Sequence, residues 1–318
     1  MTIKSKTVVL FFLALVALVS PACAQTTNAD APVYLFSTFK EGEQDGLRFA
    51  FSYDGYHWSN VPGLFLKAHV DGNIMRDPSI VRGPDRTWHL VWTSAWKGNT
   101  GFGYAYSKDL VHWSEQKFIP VMAHEPAVCN VWAPELFYDE EEKQFIICWA
   151  STIPGQFPDH LEPSTNNHRM YFTTTRDFKK FTPTKLFLDP DFSVIDCQIL
   201  KDANRYVLLL KDNTRPQRNI RVAFGDTPLG PWRNISTNLT ASFTEGPCGL
   251  RIGNDWLIYY ESYQAKHYSA MKTRDFKMFT DVTSEMTFPP ELKHGTAFIA
   301  TKKDLDRLLK LQPNSKSH

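Results

Sequence analysis

The chain has 318 residues, with 35 Lys and Arg against 34 Asp and Glu, so its formal charge at pH 7 is +1. Such a balance offers no net basic field for binding nucleic acid or an anionic membrane surface. Hydrophobic residues make up 42% of the chain and charged residues 22%, a composition that excludes a disordered protein and indicates a globular one.

The N-terminal segment has the pattern of an export signal. Lys4 and Lys6 precede an apolar run over residues 8–19. This run is too short to span a bilayer, which needs ~20 apolar residues, but it suits the hydrophobic part of a signal peptide. No comparable run follows, so we expect no membrane span. We predict that residues 1–24 are a signal peptide, that residues 25–32 are a polar lead-in, and that the protein is periplasmic or extracellular.

The residues around Cys23 allow two kinds of processing. Ala22 and Ala24 supply the small residues that suit cleavage before Gln25. Cys23 also permits a lipid anchor, but Ser20 stands where a bulky apolar residue usually precedes a lipidated cysteine. We therefore favour cleavage over lipidation.

The remaining four cysteines each lie in or beside an apolar run. This placement favours buried small hydrophobic side chains over two disulfides. There is no CxxC pair or Cys/His cluster of the kind that binds structural zinc, so we predict no metal site. The four residues are Cys129, Cys148, Cys197 and Cys248.

A short turn motif recurs five times. Each regular copy has a strand, then Ser or Thr, any residue and Asp, and a Trp or Phe four residues after the Asp. The Asp suits accepting backbone hydrogen bonds within a turn, and the aromatic ring anchors the returning strand. The regular copies contain Asp54, Asp109, Asp177 and Asp275, and a looser copy with two extra residues contains Asp226.

A second repeat interleaves with the first. After each Asp motif a new apolar strand begins 23, 24, 19, 19 or 19 residues later. A further apolar strand follows in four of the units, at residues 88–94, 144–151, 205–211 and 255–262. Each unit is therefore typical of a four-stranded antiparallel meander, one blade of a β-propeller. The new strands begin at Asp77, Ala133, Asp196, Glu245 and His294.

The fifth unit is divided between the two ends of the chain. Its first strand lies at residues 294–301, and two others lie at 33–39 and 47–52. Pairing of the two ends would close the ring and remove its open edges. We therefore predict an all-β domain over residues 33–301, a five-bladed β-propeller closed by pairing of the N- and C-terminal strands, followed by a short tail over 302–318 that begins as a helix. A β-sandwich is the weaker alternative, because it does not predict a fivefold spacing.

This topology brings several ionisable residues to one face of the ring. The first strand of each blade lines the central channel, so the strand starts meet at the channel mouth. Asp77, Asp196, Glu245 and His294 are expected to converge there. Crowded carboxylates repel one another, which is unfavourable for the folded protein. A cluster of them therefore indicates a functional site. Glycoside hydrolysis uses such a group: one carboxylic acid protonates the leaving oxygen, one carboxylate activates water or attacks carbon, and a third can raise the pKa of the acid.

Loops after the second strands are expected to form the rim of this mouth. Trp96, in the first loop, suits stacking on a sugar, and packing between blades is an equally good alternative. The loop over residues 151–169 belongs to a blade with 44 residues from strand start to Asp motif, against 30–32 in three others, and can wall off one side. Lys211 and Arg215, in the third loop, either bond sugar hydroxyls or belong to a solvated loop.

These strings together resemble glycoside hydrolase family 43 over essentially the whole chain after residue 24. The matching strings are RDPSI with Asp77, NVWAPELFYD with Trp132, VIDCQI with Asp196, TEGPCG with Glu245 and KHGTAF with His294. The resemblance implies an inverting hydrolase that acts on α-L-arabinofuranosides or β-D-xylosides, with a galactan-active enzyme as an alternative. It implies Asp77 as the general base, Glu245 as the general acid, and Asp196 as the residue that raises the pKa of Glu245 and orients it.

The same resemblance implies further site residues. His294 corresponds to a channel histidine near a central water or a bound cation, so it allows a structural calcium, although the reaction requires no cofactor. Trp132 and Glu135 lie in the NVWAPELFYD string. We expect these three residues, with Trp96 and Arg215, to contact a carbohydrate substrate, and we do not expect Glu135 to be catalytic. The sequence does not decide the oligomeric state.

Two other functions stay open. A sialidase-like hydrolase would explain the Asp motifs, but sialidases have six blades, an arginine cluster and a Tyr nucleophile, whereas only five units are present. A non-catalytic sugar-binding propeller would keep the aromatic residues but would not need Asp77, Asp196 and Glu245 together.

Overall fold

The computed structural model of the protein describes residues 31–158, 162 and 165–310. The predicted signal peptide, Cys23, most of the polar lead-in and the last eight residues of the tail lie outside the described residues. Inside them, nearly all regular structure is β. Nineteen strands form five antiparallel sheets, accompanied by one 3₁₀ turn (Thr283–Glu285) and one helix, α1 (Lys302–Lys310).

The five sheets are the blades of a propeller. The closing blade consists of β1 (Pro32–Thr38), β2 (Gly46–Ser52), β3 (Ser59–Lys67) and β19 (Ala297–Thr301). Blade 1 consists of β4 (Arg76–Arg82), β5 (Trp88–Thr93), β6 (Phe102–Ser107) and β7 (Lys117–Ile119). Blade 2 consists of β8 (Trp132–Asp139), β9 (Gln144–Ser151), β10 (Arg169–Thr175) and β11 (Lys185–Leu188). Blade 3 consists of β12 (Val194–Asp202), β13 (Arg205–Asp212) and β14 (Asn219–Gly225), and blade 4 of β15 (Thr244–Ile252), β16 (Asp255–Ser262), β17 (His267–Thr273) and β18 (Thr280–Asp281).

The predicted second strands of blades 1 to 4 are confirmed. β9 and β16 have the predicted bounds, and β5 and β13 differ from the prediction by one residue at one end. Every residue of β9 after Gln144 is buried, because neighbouring blades cover both faces of the strand. A strand covered on both faces reads as a continuous apolar run rather than as an alternating one, which is why these strands could be recognised in the sequence.

The two ends of the described chain meet in the closing blade. β19 pairs antiparallel with β1 over five residue pairs, in agreement with the predicted closure of the ring. α1 begins directly after β19, where the tail was predicted to be helical. Its Leu305 and Leu308 are fully buried and belong to the core cluster that also contains residues of β1 and β2, so the helix is attached to the closing blade.

Blade 3 has three strands among the described residues, whereas the repeat predicts four. The segment after its irregular Asp226 motif runs beside β14 but makes only separate contacts, such as the bridge between Phe224 and Arg233 and the bond from the Ser236 N–H to the Val222 carbonyl. The motif has two extra residues, and its Pro231 has no N–H to donate. A continuous fourth ladder therefore does not form there.

The regular Asp motifs fold as predicted. In blade 1, the Asp109 carboxylate accepts hydrogen bonds from the N–H groups of Val111 (3.0 Å) and His112 (2.8 Å). The Ser107 hydroxyl oxygen accepts a hydrogen bond from the Leu110 N–H at 2.9 Å. Ser107 and Asp109 together therefore supply acceptors for three backbone N–H groups of the turn. Asp226, in the looser copy, contacts only the Arg233 guanidinium, at 3.4 Å, among the described residues.

This difference predicts unequal effects of two alanine substitutions. Asp109→Ala should lower the free energy of unfolding by about 2 kcal/mol, because two backbone donors lose their acceptor. Asp226→Ala should leave the free energy of unfolding unchanged within error. Denaturant unfolding of both variants checks this, and an equal loss for both would contradict a structural role for the regular motif.

The core consists of clusters between neighbouring blades. Large aromatic side chains, among them Trp88, Trp92 and Trp149, are fully buried. The four cysteines of the described chain are free, as predicted, and three of them are buried. In the part of the chain that the structure covers, no helix is both long and apolar enough to cross a membrane.

Candidate active site

A backbone bulge shapes the start of the inner strand in blades 1 to 4. In each of β4, β8, β12 and β15, two residues oppose one residue of the next strand, and the first of the two has a left-handed backbone conformation. The four left-handed residues are Asp77 (φ 50°), Ala133 (φ 44°), Asp196 (φ 54°) and Gly246 (φ 58°). Such strain is uncommon outside glycine and marks sites where a bulge redirects a side chain.

The bulges correct one detail of the predicted alignment. By register, the equivalent of Asp77 and Asp196 in blade 4 is Gly246, whereas Glu245 lies one residue earlier, opposite Glu261. The Glu245 side chain nevertheless faces the same cavity, because a bulge interrupts the alternation of side chains between the two faces of a strand. His294 also precedes its strand, since β19 begins at Ala297.

The predicted catalytic residues share one small cavity at the channel mouth. Its volume is about 140 Å³. We call it the small cavity; its walls include Asp77, Asp196, Glu245, His294, Trp96 and Trp132. The convergence predicted from topology is therefore present in the structure.

Asp77 is held as a carboxylate. It lies 3.2 Å from the His294 Nδ1 and accepts a hydrogen bond of 2.8 Å from the Thr93 hydroxyl. Burial alone would raise the pKa of Asp77, but the His294 contact, the charge of Arg76 and the Thr93 bond outweigh it and lower that pKa. An ionised carboxylate can accept a proton, as a general base must.

His294 is held as a cation by the same neighbours. Burial lowers its pKa, but the charges of Asp196, Asp77 and Glu135 and the bond to Asp77 outweigh burial and raise the pKa to about 9. The imidazolium is therefore the main positive charge beside Asp77 near neutral pH.

This raised pKa predicts a pH-dependent stability. A group whose pKa rises on folding stabilises the folded protein fully at any pH below its unfolded pKa, here about 6.5. This stabilisation is lost as the pH rises through the folded pKa of about 9. We expect the free energy of unfolding to fall by about 3 kcal/mol across this window, and His294→Gln to flatten the fall.

His89→Gln is the matched control. Burial lowers the pKa of His89 to about 4, so this residue does not titrate in the folded protein between pH 6.5 and 9. Unfolding titrations across that range check the prediction. An unchanged slope in His294→Gln, or a slope flattened as much in His89→Gln, would contradict it.

Glu245 is paired with a buried lysine. The Lys211 Nζ lies 2.8 Å from the Glu245 carboxylate, and the Lys211 side chain is only 3% exposed. Lys211 is the penultimate residue of β13 rather than part of a solvated loop, so that alternative for this residue is wrong. Burial raises the pKa of Glu245, but the charge and bond of Lys211 outweigh burial and lower it.

Asp196 shows the opposite shift. Its carboxylate accepts the Gly246 N–H at 3.1 Å. Burial raises the pKa of Asp196, and the charges of Glu245 and Asp77 raise it further against the opposing charges of His294 and Lys211. The resemblance implies a raised pKa for Glu245. In the free protein Asp196 has the raised pKa instead, because Lys211 stabilises the Glu245 carboxylate.

The two predicted tryptophans lie at the cavity opening. Trp96 is 45% exposed, so the alternative that it packs between blades is wrong. The Arg76 guanidinium lies 4.0 Å from its ring centroid. The Trp132 Nε1 donates to the Trp96 carbonyl at 3.0 Å, and the two rings meet edge to face with centroids 6.1 Å apart. Arg76 therefore covers part of the Trp96 ring, and the exposed remainder is accessible to a ligand.

Two other predicted substrate-binding residues are not among the described residues that line the small cavity. Glu135 is half-buried farther along β8, where it accepts hydrogen bonds from Gln198 (2.9 Å) and Thr296 (3.3 Å). Burial raises the pKa of Glu135 to about 7. Arg215 is 61% exposed on the rim, and its backbone N–H donates to Glu162 at 2.6 Å.

A comparison with known proteins identifies the family. Residues 30–306 match the profile of a family related to glycoside hydrolase family 43, described as "probable glycosyl hydrolase domain". The chain belongs to this family. It is therefore a glycoside hydrolase of the family-43 type, and its substrate is a carbohydrate. No curated relative matches the sequence.

Solved structures of glycoside hydrolases share the fold at low sequence identity. An endo-1,4-β-xylanase from Bacteroides thetaiotaomicron is 14% identical with a TM-score of 0.58, over 83% of this chain and 93% of that one. An α-L-arabinofuranosidase from Clostridium thermocellum is 15% identical with a TM-score of 0.57, over 83% and 96%. An exo-β-1,3-galactanase from Clostridium thermocellum is 15% identical with a TM-score of 0.52, over 69% and 51%.

Sequence reasoning missed two charged residues of this glycoside hydrolase's site, and it named Lys211 only as a possible sugar contact. Arg76 and Glu261 line the small cavity, and Lys211 pairs with Glu245. One signal was available: Lys211 and Glu261 are charged residues near the ends of otherwise apolar second strands. Those strand ends were expected at the same mouth as the inner strand starts, so a charged residue there was a site candidate.

The channel calcium that the family resemblance allows stays untested. Within residues 31–158, 162 and 165–310, no group of three or more His, Cys, Asp or Glu side chains is placed to hold a metal ion. His294 contacts Asp77, and Glu135 is bonded to Gln198 and Thr296, so these channel groups already have protein partners.

Proposed function

We propose that this glycoside hydrolase inverts the configuration at the sugar carbon and removes single terminal pentosyl units. The units are α-L-arabinofuranosyl or β-D-xylosyl residues of plant polysaccharides or oligosaccharides. One observation carries the proposal: Asp77, Asp196 and Glu245 line a single small cavity, in which the pKa of Asp196 is raised and those of Asp77 and Glu245 are lowered. Inverting hydrolysis needs one carboxylate that accepts a proton and one carboxylic acid that donates one.

In this mechanism Asp77 is the general base. It takes a proton from a water molecule as the water oxygen bonds to the anomeric carbon. His294 and Thr93 fix the carboxylate and keep it ionised until that step. The Asp77 proton is released to solvent after the product leaves.

Glu245 is the general acid, which gives its proton to the glycosidic oxygen as the bond to the anomeric carbon breaks. Asp196 and Glu245 influence each other's charge, so they titrate as a pair rather than as separate groups. In the free enzyme Asp196 is the member of the pair that binds a proton more readily, because Lys211 stabilises the Glu245 carboxylate. We propose that the proton reaches Glu245 in the substrate complex, where the sugar excludes water from the site.

The size of the small cavity supports action on chain ends. Its volume of about 140 Å³ is well below the usual range for drug-sized ligands. It suits one sugar ring, with the exposed Trp96 available as a stacking surface. The similar solved structures include enzymes described as an arabinofuranosidase, a xylanase and a galactanase, so a galactosyl unit is the second candidate.

The test is a product analysis of the mature chain. Residues 25–318 are incubated with arabinan, arabinoxylan, xylo-oligosaccharides and β-1,3-galactan, and released sugars are identified by chromatography. Proton NMR of the first-formed product identifies its anomer. Release of a pentose of inverted configuration supports the proposal, and release of galactose changes the specificity but keeps the mechanism. Retention of configuration, or no release by folded protein, would overturn it.

We also propose that the protein is exported, on the evidence of the pattern over residues 1–24. Mass spectrometry of the protein secreted by a bacterial host tests this. An N-terminus at Gln25 supports signal cleavage, whereas a lipid-modified Cys23 would support anchoring.

A further inference from the structure

A second cavity adjoins the small cavity at Glu261, which lines both. Its volume is about 680 Å³, within the usual range for a binding site. It lies between the loop after β1, the turn after β16 and the segment before β19. We call it the large cavity; Gly42, Tyr263, His267 and Phe288 are among its lining residues.

Two contacts connect the large cavity with the proposed acid. Glu261 lies directly opposite Glu245 in the β15–β16 ladder, so their side chains are neighbours. The Tyr263 ring, on the large cavity, lies 5.2 Å from the Lys211 Nζ, which is paired with Glu245. The large cavity therefore adjoins the small cavity on the side of Glu245.

We infer that the large cavity binds the leaving part of the substrate, the sugar units beyond the bond that is cleaved. The inference rests on the proposed function, because a general acid lies beside the oxygen that leaves. If Glu245 protonates that oxygen, the sugar attached to it extends past Glu245, and the large cavity is the space next to Glu245. The preferred substrate is then an oligosaccharide or polysaccharide rather than a small glycoside.

The lining of the large cavity suits neutral sugar units. Phe288 is half-buried and packs on Tyr268 with ring centroids 5.4 Å apart, which holds its ring in place as a stacking surface. Glu261 is only 5% exposed and is paired with Lys293, so the shared wall carries little net charge. Sugar rings present apolar C–H faces and hydroxyl edges, and such a mixture of aromatic and polar groups matches both.

The exposed His267 adds a polar group at the edge of the large cavity. No hydrogen bond or ion pair engages its side chain within the described parts of the chain, so it is available to a sugar hydroxyl. It is the first residue of β17 and lines the same cavity as Phe288.

The test compares two substrates that differ only in the leaving part. One is the glycosyl fluoride of the sugar that the wild type releases, whose leaving atom is too small to enter the large cavity. The other is the trisaccharide of the same sugar. Phe288→Ala removes a wall of the large cavity, and Gly42→Trp fills it. Gly42→Ala is the matched control, because a Cβ at Gly42 meets nothing within 4 Å.

We expect Phe288→Ala and Gly42→Trp each to lower kcat/KM for the trisaccharide about 10-fold, because binding of remote sugar units contributes to the transition state. The value for the glycosyl fluoride should not change, and Gly42→Ala should change neither. Gly42 lies in an exposed loop, so its variants keep the test valid if Phe288→Ala does not fold.

The outcomes separate the two proposals. Equal losses on both substrates, or no loss in either variant, would overturn the inference about the large cavity and leave the proposed function intact. No turnover of either substrate by the folded wild type would overturn the proposed function, and this inference with it.

Discussion

Glu245→Gln should nearly abolish hydrolysis of a pentose trisaccharide but spare a dinitrophenyl pentoside, whereas Asp77→Asn should abolish both. A general acid is needed in proportion to the basicity of the leaving oxygen, and dinitrophenolate leaves without a proton. The base is needed for every substrate, because water must be activated in each case. The expected loss is about 10²–10⁴-fold in kcat where the missing group is required.

The ion pair of Glu245 requires a control for folding. Lys211 is 3% exposed, so Glu245→Gln leaves a buried ammonium without its anionic partner. Loss of one partner of a buried pair costs about 3–5 kcal/mol, whereas replacement of both by apolar or neutral groups is tolerated. The double variant Glu245→Gln/Lys211→Met therefore separates loss of the acid from loss of stability, and Met approximates the length of Lys.

Steady-state kinetics of the three variants on both substrates decides the assignment. If Glu245→Gln loses both activities equally while it stays folded, Glu245 is not the acid that protonates the leaving oxygen. If Asp77→Asn keeps activity on the dinitrophenyl glycoside, Asp77 is not the base. If Glu245 is excluded as the acid, Asp196 is the next residue to test in that role, because its raised pKa also suits a proton donor.

Much of the fold could be predicted because its signals are local. A Ser-x-Asp turn such as the one at Asp109 forms from residues within four positions, and an apolar run such as β9 reads as a strand by itself. The repeat of these local signals then gives the number of blades. Blade 3 was the exception, since two extra residues in its turn removed the spacing on which the fourth strand depends.

From the sequence we could predict which residues converge at the site, but not their exact positions in the strands. Asp77, Asp196, Glu245 and His294 were placed at one mouth by topology, and they line one cavity. The one-residue offset of Glu245 depends on the ladder register, which a bulge changes without a clear local signal.

The sequence also could not predict which charged side chains form ion pairs with one another. Lys211 and Glu245 are 34 residues apart and in different blades, so their ion pair, and the direction of the pKa shift on Glu245, follow only from the assembled ring. For the same reason the sequence could not show that Arg215, expected on the rim as a substrate contact, lies outside the small cavity and donates its backbone N–H to Glu162.

Gly246→Ala should impair both stability and activity, and Gly253→Ala should impair stability alone. Both glycines have a left-handed backbone conformation, with φ of 58° and 59°, so an added Cβ costs about 1–2 kcal/mol at either position. Their surroundings differ. A Cβ at Gly253 meets nothing within 4 Å, whereas a Cβ at Gly246 would lie 2.7 Å from Cγ and 2.8 Å from Cδ2 of His294.

The clash at Gly246 acts on Asp77, the proposed base, through His294. A displaced imidazole loses its 3.2 Å contact with Asp77, and the Gly246 N–H that Asp196 accepts must shift as well. A displacement of about 1 Å at reacting groups can cost about 10²-fold in rate. We therefore expect kcat/KM to fall by about 10²-fold in Gly246→Ala and to stay at the wild-type value in Gly253→Ala. Paired measurements of denaturant unfolding and of kinetics on the same preparations check this, and an equal activity loss in both variants would show that backbone strain, not the position of His294, limits the reaction.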